Sequence, residues 1–121
     1  MEHMKILIAD DDVELSKTVA MRLQAAGYEV VFAEEADQGT IVAHKERPDL
    51  ILLDIKMPAG GGLAMLENLR KSPETKQIPV ILFSALNPTE VIKKVDELRL
   101  ADYILKPFST KELLTKIKNA L

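Results

Sequence analysis

Four short stretches end in residues with chemistry to offer. IADDD closes an apolar run on three consecutive carboxylates, Asp10, Asp11 and Asp12. ILLDIKMP places Asp54 after another apolar run, ILFSA places Ser84 after a third, and DYILKPF sets Lys106 before Pro107. Like charges this close repel, so folding alone gives no reason to gather three carboxylates at the end of a buried strand. A positive charge has to offset them. With no histidine or cysteine nearby, carboxylate oxygens suit a hard cation. Mg²⁺ fits best, since it takes one or two carboxylates, keeps waters and leaves room for phosphate oxygens. A metal beside a carboxylate nucleophile, a hydroxyl donor and an ammonium is the equipment of phosphoryl transfer, where a protein mainly positions groups and neutralises charge. An aspartate can itself accept the phosphoryl group.

Taken singly, each residue has an ordinary explanation. An aspartate after a strand is most often a turn former or helix N-cap, and for Asp12 that is the better reading. Ser84 alone would be a satisfied loop hydroxyl. Lys106 alone would be a solvated lysine, although Pro107 biases its backbone to extended conformations. The combination carries the argument. In open parallel sheets, ligands bind beyond the carboxyl ends of the strands, and all four stretches end there. No glycine-rich phosphate loop follows the first run, so P-loop and dinucleotide readings fail.

The elements that must position these residues follow from the apolar pattern. Short β-branched runs at Lys5–Ala9, Glu29–Phe32, Leu50–Leu53, Pro79–Phe83 and Tyr103–Leu105 predict strands. Five segments with helical spacing follow them. The first carries Leu15, Val19 and Leu23 and stops at Ala26-Gly27. The second runs from Glu35 to Glu46 and ends before Pro48. The third, Leu63 to Arg70, carries Leu63, Leu66 and Leu69. A fourth follows Asn87-Pro88 with Val91, Val95 and Leu98. The fifth opens at Ser109, with Glu112 completing a capping box, and carries Leu113, Leu114 and Ile117. The alternation is (βα)₅, which predicts an α/β fold: a doubly wound parallel five-stranded sheet with helices on both sides. Met21, Met57 and Met65 read as core residues. Lys111, Lys116 and Lys118 read as a solvated helix face, and His3 and His44 as neither phosphodonors nor ligands.

Length and composition agree with one such domain. The chain has 121 residues, 47% apolar and 29% charged, the balance of a soluble globular protein. No apolar stretch is long enough to cross a bilayer and no signal-peptide pattern opens the chain, so a cytoplasmic location is expected. There is no cysteine, which excludes disulfides and thiolate metal sites. A net charge of −3 without a basic stripe argues against direct nucleic-acid binding. Met1-Glu2-His3 reads as a leading tail or cloning remnant, with residues 4–121 as the single domain.

KILIADD, DLILLDIKMP, ILFSA and DYILKPF, in this order and spacing, resemble the receiver domain of two-component response regulators, and the chemotaxis receivers in particular. The resemblance covers essentially the whole chain. It implies a flavodoxin-like sheet in the order 2-1-3-4-5. It also implies that Asp54 is the phosphoacceptor, fed by a phosphohistidine on a histidine kinase or phosphotransfer protein. Asp10 and Asp11 match the acidic pair that holds Mg²⁺, with Asp54 and the backbone carbonyl of Lys56 as further ligands. Ser84 and Lys106 match the hydroxyl and ammonium that contact the phosphoryl group, and Tyr103 the aromatic switch that follows Ser84. Phosphate would then shift a population between two conformers and so change a partner-binding surface. The implied partners are the phosphodonor and an output domain or downstream protein. For any phosphorylation-dependent homodimer, the family's face is the fourth helix, fifth strand and fifth helix.

Two departures from the family pattern stand out. Ala59-Gly60-Gly61-Gly62 follows Met57-Pro58, and three glycines predict a mobile loop beside the site. Arg99-Leu100 replaces a frequent Gly-Ala pair. The Lys56 side chain, next to Asp54, is a further candidate for tuning phosphate lifetime. Competing readings are a degenerate receiver that binds partners without phosphate, a Mg²⁺-dependent phosphatase using Asp10, and a flavodoxin-like cofactor binder. The chain reads as an interaction module with self-promoted aspartyl chemistry, not a metabolic enzyme. No output segment follows Leu121, so it is read either as a stand-alone receiver or as a piece of a longer regulator.

Overall fold

Strands without polar alternation need cover on both faces, and the architecture supplies it. The computed structural model describes residues 3–56, 61–84 and 99–121. In chain order these form β1 (Lys5–Ala9), α1 (Val13–Ala25), β2 (Glu29–Ala33), α2 (Ala36–Glu46), β3 (Leu50–Leu53), α3 (Gly61–Lys71), β4 (Val80–Ser84), β5 (Asp102–Leu105) and α4 (Thr110–Ala120). The strands make one parallel sheet in the order β2-β1-β3-β4-β5. The helix expected after Asn87-Pro88, with Val91, Val95 and Leu98, lies outside the described residues, as do Met57, Pro58, Ala59 and Gly60.

The pleat sorts the core into two layers, because successive side chains point to opposite faces. Leu7, Ala9, Ile51, Leu53, Val80 and Leu82 pack with Ala43 of α2 and Met65, Leu66 and Leu69 of α3. Ile6, Ile8, Leu50, Leu52, Ile81 and Phe83 pack with Val19 and Leu23 of α1 and Leu113 and Ile117 of α4. Every residue of β3 and β4 is buried, whereas the edge strand β2 exposes Glu29 and Phe32.

The helix ends have local causes. The Asp12 carboxylate accepts from the Leu15 amide at 3.0 Å, which confirms it as an N-cap. Arg47 ends α2 in the left-handed region, with φ 45°, just before Pro48. Ser109 caps α4 by accepting from the Glu112 amide at 3.0 Å. The Glu112 carboxylate faces the Lys116 ammonium at 3.7 Å.

Three expectations are corrected. Met21 is 70% exposed and is no core residue, because the buried stripe of α1 is Ser16, Val19, Ala20 and Leu23 and Met21 falls outside it. Met65 is fully buried, as expected. Lys116 does not belong to a solvated face: its ammonium donates to the Tyr103 carbonyl at 2.6 Å and lies 3.6 Å from Asp102. Long lysine stems can lie along a neighbouring element while the ammonium finds carbonyl and carboxylate partners. Gly61 and Gly62 are not a loose loop. They open α3, and the Gly62 amide donates to the Ile55 carbonyl at 3.0 Å.

Arg99 has φ 55°, a conformation that favours glycine, which gives a physical sense to the glycine frequent there in the family. Its carbonyl accepts from the Arg70 guanidinium at 3.3 Å, which also donates to the carbonyls of Lys76 and Ile78. Burial, then the nearby charge of Arg99, lowers the Arg70 pKa from its ordinary value.

Candidate functional site

Strand register assembles the site. Ala9 pairs with Leu53, so Asp10 and Asp54 leave neighbouring strands side by side, where the strand order reverses. The ladder runs one residue further: the Asp54 amide donates to the Ala9 carbonyl at 2.9 Å and the Asp10 amide to the Ala33 carbonyl at 3.0 Å. Both acids are therefore fixed at the backbone. Ser84 ends β4 opposite Leu105, and the Lys106 amide donates to the Ser84 carbonyl at 2.8 Å.

The side chains converge from there. Lys106 places its ammonium 2.8 Å from Asp10 Oδ2 and 3.4 Å from Asp54 Oδ2, so one cation bridges two acids. The other oxygens take backbone donors, Asp12 N to Asp10 Oδ1 at 2.9 Å and Lys56 N to Asp54 Oδ1 at 3.1 Å. Asp10 and Asp54 are buried and Asp11 is exposed. Carboxylate oxygens of Asp10, Asp11 and Asp54 all lie within 4.8 Å of one another. Three oxygen ligands, one reachable from solvent and none from sulfur or imidazole, fit a hard divalent cation. Lys106 answers part of the charge question posed by the sequence. A divalent ion would supply the rest.

Ser84 is fully buried, and its side chain hydrogen-bonds the half-buried Tyr103. Burial raises the Tyr103 phenol above its ordinary pKa, the Ser84 hydrogen bond offsets part of this, and the Asp54 charge adds to it. Phosphoacceptor candidate, hydroxyl and aromatic thus form one contiguous set. All the candidates with described side chains, Asp10, Asp11, Asp54, Ser84, Tyr103 and Lys106, are brought to this edge. Lys56 joins them through its amide.

Sequence reasoning missed Phe83. The Lys106 ammonium sits 4.6 Å from the Phe83 ring centroid, and the ring packs edge-to-face on Phe108 at 6.2 Å and 63°. Within the apolar run ILF nothing marks this phenylalanine apart from its neighbours.

With the fold and site in place, the comparisons agree. Residues 6–118 match the response regulator receiver domain, and the chain belongs to this family. It is 36% identical over 119 residues to a probable transcriptional regulator, ycf27, of Porphyra purpurea, covering 97% of this chain and 47% of that protein. It is 36% identical over 116 residues to the phosphate regulon transcriptional regulatory protein PhoB of Pseudomonas aeruginosa, covering 96% and 51%. The chain spans about half the length of these curated relatives. Among solved structures, the chemotaxis protein CheY4 of Vibrio cholerae superposes with a TM-score of 0.93 at 27% identity, covering 99% of this chain and all of that one. A CheY-like receiver domain protein of Methanospirillum hungatei gives 0.90 at 31%, covering 97% and 92%. The chain is thus a receiver domain of two-component signal transduction. Among the described residues, no helix is long and apolar enough to cross a membrane.

Crowded, buried acids carry a stability consequence with a definite sign. Burial raises the Asp54 pKa above its ordinary 3.8, with Asp10 adding to the rise and the Lys56 amide and Lys106 opposing it. The folded chain therefore holds that proton more tightly than the unfolded chain. Its contribution to stability is complete below pH 3.8 and is lost as pH rises through the folded pKa. In metal-free buffer at pH 7, Asp54→Asn is expected to be more stable than the parent by about 1 kcal/mol, roughly 4 °C in Tm. The gain disappears below pH 3.8. Thermal unfolding of both proteins with a chelator, at the two pH values, checks this; an Asn variant less stable at pH 7 would show that Lys106 outweighs burial.

Proposed function

We propose that Asp54 accepts a phosphoryl group from the phosphohistidine of a partner histidine kinase or phosphotransfer protein. One observation carries this reading: Asp54 shares the Lys106 ammonium with Asp10, and the oxygens of Asp10, Asp11 and Asp54 lie close enough together to share one cation. Residues 4–121 act as the single receiver domain. Asp10, Asp11, Asp54 and the backbone carbonyl of Lys56 would hold Mg²⁺. Bound there, the ion would neutralise the acids and the phosphoryl oxygens they approach.

The residues of the chain itself supply the positioning. The Lys56 amide and the extended strand backbone fix the Asp54 carboxylate, which attacks phosphorus as the P–N bond to the imidazole breaks. Lys106 moves from its carboxylate partners to the phosphoryl oxygens, and Ser84 donates its hydroxyl to them. Drawing Ser84 toward phosphate changes its contact with Tyr103, which alters the surface presented by β5. Asp12 is committed as an N-cap, so a phosphatase built on Asp10 lacks the second acid of its Asp-x-Asp pair. The chain acts on its own phosphorylation and dephosphorylation, and its output is a changed surface that an output domain, a downstream protein or a second copy reads.

Intact mass after incubation with acetyl phosphate, with and without Mg²⁺, tests the reading. The expected result is a Mg²⁺-dependent gain of one phosphoryl group that is absent from Asp54→Asn. A gain that persists in that variant would move the nucleophile elsewhere, and no gain under any condition would favour a phosphate-independent interaction module.

A further inference from the structure

We propose that Phe83 is a positioning residue for phosphoryl transfer, its ring face keeping the Lys106 ammonium inside the site while that ammonium changes hydrogen-bond partners. The inference rests on the reading of Asp54 as phosphoacceptor. The ammonium has three neighbours of different character: Asp10 Oδ2 at 2.8 Å, Asp54 Oδ2 at 3.4 Å and the Phe83 ring centroid at 4.6 Å. The two hydrogen bonds are directional and must be given up, at least in part, when phosphoryl oxygens arrive. Attraction to a ring face varies slowly with position, so it persists as the ammonium shifts.

The ring is held for this purpose. Phe83 is fully buried on the interior strand β4, in register with Ile104, and Phe108 packs edge-on against it. It therefore cannot follow the lysine or turn its edge to it without disturbing the core. A leucine there would fill much of the same volume but offer no quadrupole. The Lys106 side chain, 18% exposed, would then have a route to water and would spend less time near Asp54.

A double-mutant cycle separates this role from core filling. The rate of Asp54 phosphorylation by acetyl phosphate at saturating Mg²⁺ is measured for the parent, Phe83→Leu, Lys106→Met and the double variant. Phe83→Leu is expected to lower the maximal rate roughly five- to tenfold, with a smaller change in the donor concentration for half-saturation. In the Lys106→Met background the same substitution is expected to have no further effect. The Lys106 methylene protons next to the ammonium are expected to be shifted upfield by the ring in the parent and to move back in Phe83→Leu. Phe83→Met, unbranched and non-aromatic, takes its place if the leucine variant does not fold. Equal losses in both backgrounds, or unshifted methylene protons in the parent, would overturn the inference. A parent that takes up no phosphoryl group overturns the Asp54 reading and this role with it; a phosphorylated parent with an indifferent Phe83→Leu overturns Phe83 alone.

Discussion

Lys106→Ala is expected to unfold about 10 °C below the parent in metal-free buffer, the effect of losing roughly 3 kcal/mol when one partner of a buried ion pair is removed. Asp10 has a wholly buried side chain and Asp54 one that is 9% exposed, so neither can recover its lost partner from bulk water. Removing the ammonium leaves three carboxylates within 4.8 Å of one another with no cation among them. Two additions should recover much of the loss. Mg²⁺ should do so by occupying the space between the acids, and Asp10→Asn should do so by removing the charge that Lys106 met at 2.8 Å. Urea unfolding of the single and double variants, each with chelator and with Mg²⁺, measures both. A loss below about 1 kcal/mol in the single variant would mean that the pair is solvated like a surface salt bridge.

The sequence made some of this legible and hid the rest for physical reasons. Leu50–Leu53 and the ILF run announced buried strands because a strand covered on both faces cannot afford a polar side chain. Asp10, Asp54, Ser84 and Lys106 were legible because polar groups at the ends of such strands need a purpose, and the parallel sheet gathers those ends at one edge. Met21 misled because helical spacing identifies a stripe only once the core-facing direction is known. Lys116 misled because a lysine pattern does not say which stem lies along β5. Phe83 was invisible, since its packing value and its contact with Lys106 call for the same residue type. In the sequence Gly61 and Gly62 signal only backbone entropy, whereas their meaning lies in which backbone comes close to them.

That closeness gives the second large effect. A Cβ on Gly62 would collide with the Asp54 carbonyl oxygen and stand 2.8 Å from the Ile55 Cα and 2.9 Å from the Asp54 carbonyl carbon. These are backbone atoms and cannot rotate aside. Nor is α3 free to retreat: Met65, Leu66 and Leu69 are fully buried, and Met65 lies so close to Gly39 of α2 that a Cβ there would collide with its sulfur. The strand exit is the softer side, so Gly62→Ala should displace Asp54 relative to Asp10 and Asp11. We expect a stability loss of about 1–3 kcal/mol. Mg²⁺ affinity and Asp54 phosphorylation should both fall roughly 10- to 100-fold, since a displacement of about 1 Å is enough for such a loss. Gly61→Ala is the control. Its φ of 72° makes alanine strained and its Cβ would stand 2.8 Å from the Ile55 carbonyl oxygen but away from the Asp54 backbone, so stability should fall by about 1–2 kcal/mol with a smaller loss of Mg²⁺ affinity than in Gly62→Ala. Calorimetric Mg²⁺ titration and intact-mass phosphorylation of the two variants distinguish the cases. If Gly62→Ala binds Mg²⁺ as the parent does, α3 has yielded instead, and the position of Asp54 is set by the sheet alone.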